Sequence, residues 1–189
     1  DRIQEGMEML DRNIVRVATF VKAFLSFSKG REIKVNLSDP VRIAKEVVML
    51  YSQRARELGI KLINEESGSI SPALMDSEGI HECLTNLVGN AIDACNMSEA
   101  GKGQHVVVRT IEKDNVIIYE VVDDGCGMDY ELKQKVFTNF FTTKGLGGTG
   151  LGLLMTKKII HEHGGKIDLE SESGKGTTFR ILLSRSRLP

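Results

Sequence analysis

Five glycines stand within nine residues in the stretch GLGGTGLGL, Gly145 to Leu153, and a stretch like that is suited to holding phosphate. Glycine lets the backbone approach an anion closely, and where such a loop runs into a helix, the amides of Gly150, Leu151 and Gly152 meet the positive end of the helix dipole. Gly145, Gly147 and Gly150 satisfy the spacing G-x-G-x-x-G, with Asp168 and Glu170 about twenty residues further on, as a dinucleotide site requires. The loop lacks G-x-x-x-x-G-K-[ST], which excludes the usual P-loop.

Two other stretches carry chemistry. In HECLTNLVGNAIDAC, Glu82, Asn86, Asn90 and Asp93 recur at steps of four, four and three, so a helix would present them on one side while Leu84, Leu87, Val88 and Ile92 serve a core. Carboxamide and carboxylate oxygens in line suit a magnesium ion and phosphate, and a solvated helix face accounts for them equally well. In VVDDGCGMD, Asp123 ends an apolar strand and is followed by Gly125 and Gly127. A carboxylate there can accept from a purine amine, and the glycines admit a flat base. An acidic turn is the alternative; calcium-loop spacing is absent.

The elements that must position these groups follow from periodicity. Ile3, Met7, Leu10, Ile14, Val17, Val21 and Phe24 alternate steps of four and three, the seam of a coiled coil that needs a partner helix or a second copy of the chain. Lys29, Gly30 and Arg31 break that helix, and EIKVNL then predicts a strand with Ile33, Val35 and Leu37 on one face. Asp39 and Pro40 open a helix that Gly59 stops. IKLINEE predicts a strand, Asp76 to Asn96 a second helix, HVVVRTIE and NVIIYEVVD a hairpin around KDN, Gly150 to His163 a third helix, and KIDLESE and TTFRILLS a final hairpin. This order gives an α+β two-layer sandwich, a mixed sheet with helices on one face, preceded by a long coiled-coil-like helix. A dinucleotide fold fails, because no clear parallel strand precedes Gly145 and only 19 residues follow Glu170.

Composition bounds the rest. The 189 residues are 41% apolar, enough for one medium domain with an appendage. With 25 basic against 26 acidic side chains, the net charge of -1 gives no footprint for nucleic acid. Cys83, Cys95 and Cys126 form no C-x-x-C pair, which points to a reducing, cytoplasmic compartment. No apolar run reaches the roughly 18 residues of a membrane span. The chain opens on Asp1 rather than methionine and reads as a fragment, so any membrane attachment would lie in upstream segments.

NLVGNAIDA, DDGCGM, FTNFFTTKGLGGTGLGL and SESGKGTTFRILL, in that order, closely resemble the N box, first glycine box, F box with second glycine box, and last glycine box of sensor histidine kinases. The resemblance covers about Ile33 to Ser184, and Ile3 to Ser28 looks like the second helix of that family's dimerisation hairpin. It implies an incomplete hairpin over residues 1–30 and, over 31–189, the ATP-binding Bergerat fold shared with gyrase, Hsp90 and MutL. By the same resemblance, ATP and Mg²⁺ are the cofactors, Asn90 holds the metal, Asn86 the phosphate oxygens and Asp123 the adenine, which Thr177 supports from a neighbouring strand. Asp93, Gly125, Gly127, Met128, Phe137, Thr142, Thr143, Lys144, Gly148, Thr149, Gly150, Leu151 and Gly152 complete the nucleotide site. Met128 to Thr149 forms a mobile lid anchored by Phe137, Phe140 and Phe141.

Glu82, Asn86 and Lys144 are the catalytic candidates. The ATP-hydrolysing relatives align a glutamate base with Asn86; an amide takes no proton, so water attack is slow and the phosphoryl group is kept for a protein acceptor. Glu82, one turn earlier, is the residue that weakens this argument. The family's acceptor histidine lies on the first hairpin helix, and His81, His105, His161 and His163 all fall outside any such pattern. The implied partners are a histidine-bearing helix, a response-regulator receiver domain and a second copy of the chain. A protein serine kinase or an ATPase clamp of the same fold is the alternative.

Overall fold

The computed structural model describes residues 32–98, 104–138 and 150–189, together with helical positions scattered between Gln4 and Leu25. Among the latter, Met7, Leu10, Ile14, Val17 and Val21 are helical and between 46% and 61% exposed, so these five positions of the seam face solvent.

The described elements are β1 (Asn36–Ser38), α1 (Pro40–Glu57), β2 (Lys61–Ser67), β3 (Ala73–Met75), α2 (Ser77–Asn96), β4 (His105–Lys113), β5 (Val116–Asp123), α3 (Tyr130–Lys135), α4 (Gly152–Glu162), β6 (Lys166–Glu172) and β7 (Gly176–Ser184). Five strands form one sheet in the order β2-β4-β5-β7-β6, with β2 parallel to β4 and every other pair antiparallel. The helices lie on one face of this mixed sheet, the layered arrangement that the order of elements predicts.

Local chemistry sets the boundaries. Asp39 caps α1 by accepting from the amides of Val41 and Arg42, with Pro40 in the first turn. Asp76, expected inside α2, stands just outside it as the N-cap and accepts from Gly79 N–H at 3.2 Å. Asp114 and Asn115, at φ 52° and 63°, form the two-residue turn of the β4–β5 hairpin, the conformation that asparagine and aspartate tolerate.

Two expectations need correction. The strand predicted from EIKVNL shrinks to β1, which pairs with β3 in a separate two-stranded sheet, and Leu37 is 70% exposed rather than core. Alternation in so short a segment reported only extended backbone, and its partner β3, only three residues long and directly following Pro72, carries no periodic signal of its own. Helix α3, inside the segment read as a lid, was not anticipated either; Asp129 caps it through Leu132 N–H at 2.8 Å.

The core lies between sheet and helices. Tyr119 is fully buried and donates its hydroxyl to Pro40 O at 3.1 Å, tying the centre of the sheet to the start of α1. The other face of the sheet carries a row of alternating charge. Glu65 pairs with Arg109 (2.6 Å), Arg109 with Glu120 (2.8 Å), Glu120 with Arg180 (2.8 Å) and Arg180 with Glu170 (2.7 Å), crossing all five strands. Burial pushes the Glu120 carboxyl up, but the two guanidinium groups outweigh it and hold the group below its ordinary value. A lowered carboxylate stabilises the fold above the unfolded chain's pKa, and that contribution disappears as pH falls through the folded value. We therefore expect Glu120→Gln to cost about 1–2 kcal/mol at neutral pH, with the gap to wild type closing in acid, as measured by urea denaturation across pH.

Candidate functional site

Helix α2 divides its surface between core and cleft. Ile80, Cys83, Leu84, Val88 and Ile92 are fully buried, whereas Glu82, Thr85, Asn86, Gly89, Asn90 and Asp93 line a cleft of about 400 Å³. The four polar residues expected in line thus share one wall. Tyr51 and Arg54 of α1 form a second wall, and Leu151, Gly152, Met155 and Thr156 around the start of α4 a third. None of Tyr51, Arg54, Thr85, Met155 and Thr156 was anticipated; each reaches the cleft by packing of distant elements and carries no motif.

Arg54 donates to Asp93 Oδ1 at 2.6 Å, and is the one cation among the residues described as lining the cleft. Tyr51 packs its ring over Gly89, where a methyl group would sit 2.9 Å from the phenol oxygen. On the opposite side, Asn86 Nδ2 donates to Thr156 Oγ1 at 3.0 Å, and that hydroxyl donates to Gly152 O, also at 3.0 Å. Asn86 Oδ1 rests against Gly152 so closely that a methyl group there would overlap it. Leu151, at the N-cap of α4, makes no side-chain cap bond to the first turn of the helix, whose N-terminal end borders the cleft.

Asp123 lies outside the lining of this cleft, beyond the C-terminal end of α2, where Gly125 packs so tightly that a methyl would come within 2.6 Å of the Ala94 carbonyl carbon. Asp123 is 6% exposed and accepts the amide of Gly125 at 2.9 Å and that of Thr177. Burial pushes its carboxyl from 3.8 up to about 6, against the pull of those two amides. Thr177 supports Asp123 through its main chain; its hydroxyl is engaged with Ser171 Oγ at 3.0 Å. Ser171 also accepts Met128 N–H, and Phe137 meets Phe179 edge-on at 6.3 Å with Lys157 Nζ 5.6 Å from its ring centre. Behind Asp123, burial and the neighbouring carboxylates push the Cys95 thiol up to about 12. Phe140, Phe141, Thr142, Thr143, Lys144, Gly148 and Thr149 lie outside the described residues.

The histidines do not form a site. His163 is fully buried; its Nε2 accepts from Asp76 N–H at 3.1 Å and its Nδ1 lies 2.7 Å from Ile159 O, an arrangement that puts the proton on Nδ1. It braces the end of α4 against the start of α2, while His161 is exposed.

Residues 75–187 match the family described as histidine kinase-, DNA gyrase B-, and HSP90-like ATPase. The chain belongs to this ATPase family. Its curated relatives include the signal transduction histidine-protein kinase AtoS of Escherichia coli (30% identical, 95% of this chain, 29% of AtoS). They also include the sensor kinase CckA of Brucella abortus (33% identical, 93% of this chain, 20% of CckA). The chain therefore spans less than a third of the length of these relatives. Among solved structures, the catalytic domain of histidine kinase ThkA superposes with a TM-score of 0.70 at 30% identity, over 80% of this chain and 96% of that one. ThkA in complex with its response regulator TrrA gives a TM-score of 0.77 at 27% identity, over 99% of this chain and 52% of that one.

Asn86 and Gly152 fit too closely to admit a side chain between them. Gly152→Ala should lower affinity for adenine nucleotides at least tenfold, measured by calorimetry, because the methyl displaces Asn86. The same displacement breaks the Asn86–Thr156 hydrogen bond, so the thermal midpoint should fall slightly as well.

Proposed function

We propose that this chain is the ATP-binding catalytic core of a sensor histidine kinase. It transfers the γ-phosphoryl group of ATP to a histidine on a helix outside residues 1–189, for relay to an aspartate of a response-regulator receiver domain. The observation that carries this reading is the carboxamide of Asn86, bonded to Thr156 beside the N-terminal end of α4 where phosphate would lie. An amide holds and orients but accepts no proton, so the site positions the phosphoryl group without activating water.

Adenine would occupy the pocket of Asp123, Gly125 and Thr177, with its amine donating to the Asp123 carboxylate. The phosphates would run toward α4, meeting its first amides and the guanidinium of Arg54. Asn90 is our assignment for Mg²⁺, which supplies neutralisation of phosphate charge when bound, and the oxygen-rich wall of α2 fits a hard cation. Lys144, in the proposed lid with Thr142, Thr143, Gly148 and Thr149, would approach from the open side. Residues 1–30 read as the second helix of a dimerisation hairpin and 31–189 as the ATP-binding domain. The exposed seam of Met7, Leu10, Ile14, Val17 and Val21 supports pairing with a missing helix or a second chain. We place the protein on the cytoplasmic side.

Glu82 also lines the cleft, and this observation favours the second reading, an ATPase clamp. The chain with γ-labelled Mg-ATP and a separately made hairpin bearing the missing histidine decides between them. Acid-labile, alkali-stable label on the hairpin, abolished by Asp123→Asn, is expected; free phosphate without labelled protein would mean the clamp.

The raised carboxyl of Asp123 adds a pH signature. Only the ionised group accepts fully from adenine, so affinity should fall about tenfold between pH 7 and pH 5, following the ionised fraction around a value of about 6. The weak binding that Asp123→Asn retains at high nucleotide concentration should lack that component, and titration of the nucleotide phosphates cancels in the comparison. Stability runs the other way: burial opposes ionisation, so this group's effect favours the folded state more as pH falls from about 6 toward 3.8.

A further inference from the structure

We propose that Thr156 is a positioning residue that fixes which end of the Asn86 carboxamide faces the phosphate-binding edge of α4. The inference rests on the reading of the cleft as a nucleotide site. Thr156 is 1% exposed, and its hydroxyl has a single proton, which it donates to Gly152 O one turn back at 3.0 Å. It can then only accept from Asn86, and the contact at 3.0 Å must be a donation from Nδ2. The amide orientation, ambiguous for most asparagines, is thereby determined by a committed donor. Oδ1 is left over Gly152, at the N-terminal edge of α4.

An oxygen in that place repels a bare phosphate oxygen and attracts a cation. Asn86 therefore serves the nucleotide through a divalent ion rather than by direct donation to phosphate, which departs from the role that resemblance alone gives it. A valine at position 156 has nearly the same shape but neither donates nor accepts, so Asn86 would be free to turn over. Serine retains the hydroxyl and loses only the methyl.

The test is calorimetric, with ADP as the probe, on the 189-residue chain and its Thr156→Val and Thr156→Ser variants, each with Mg²⁺ and with EDTA. In wild type, Mg²⁺ should strengthen ADP binding. Thr156→Val should lose about tenfold of that gain, in the range typical of groups that orient a metal ligand, while its affinity in EDTA stays within about threefold of wild type. Thr156→Ser should keep the gain. A role in packing alone would weaken both conditions equally and would not be rescued by serine. An undiminished gain in the valine variant, or a serine variant as impaired as valine, overturns the assignment of Thr156 and leaves the nucleotide site standing. A wild-type chain that binds no ADP in either condition overturns both.

Discussion

Helix α2 buries Ile80, Leu84, Leu87, Val88 and Ile92 in the core with none more than 1% exposed, and these contacts set the angle at which its polar side meets the cleft. Each such side chain contributes about 1.5–3 kcal/mol when buried, so rolling the helix out of register would cost on the order of 10 kcal/mol, comparable with the whole stability of a domain. The N-terminal end is fixed as well. Asp76 caps the first turn, and its own amide is held by His163 at the close of α4. Adjacent residues differ by roughly 100° around a helix, so Asn86 and Asn90 face the cleft only while this core registration holds. The shape of the cleft and the packing of the core thus share one set of contacts.

The same reasoning explains what could be read in the chain beforehand. Periodicity located α2 and the core side of it, because every turn repeats the signal, and the cap Asp39–Pro40 marked α1 to the residue. The Asn-rich side was visible as spacing, yet spacing alone left a solvated face equally open; only the opposing walls decide. Those walls were invisible for a definite reason. Arg54 meets Asp93 across 39 residues of sequence and Asn86 meets Thr156 across 70, and neither contact leaves a local pattern. A threonine inside an apolar helix reads as filler until its neighbour is known. Asp123 was legible because a strand end followed by glycines is itself a local feature, whereas the main-chain support from Thr177 depends on the β5–β7 register. β3 escaped notice because three residues cannot display a period.

The open face of the sheet solves a different problem. A layer covered by helices on one side leaves its other side to water, and here arginines and glutamates alternate from Glu65 to Glu170 across every strand. Their long side chains lie over flanking apolar rows such as Val107 and Val122, which are only partly exposed. Opposite charges at neighbouring positions also penalise a shifted pairing, since a slip of one strand would turn its ionic residue into the helix-covered core.

The β4–β5 hairpin has two unlike ends. At one, Asp123 pairs with Val106 beside the proposed adenine pocket; at the other, Lys113 pairs with Val116 around the turn of Asp114 and Asn115. Seven residues of extended strand separate them, roughly 23 Å at 3.3 Å per residue. That distance separates two mechanical settings within a single supersecondary unit. The Asp114–Asn115 tip supplies no residue to the cleft, so an inserted loop or a fused reporter there leaves the groups lining it in place. At the opposite end Gly125, Gly127 and Gly176 pack against backbone with no room for a Cβ, so the chain there transmits any change directly to its neighbours.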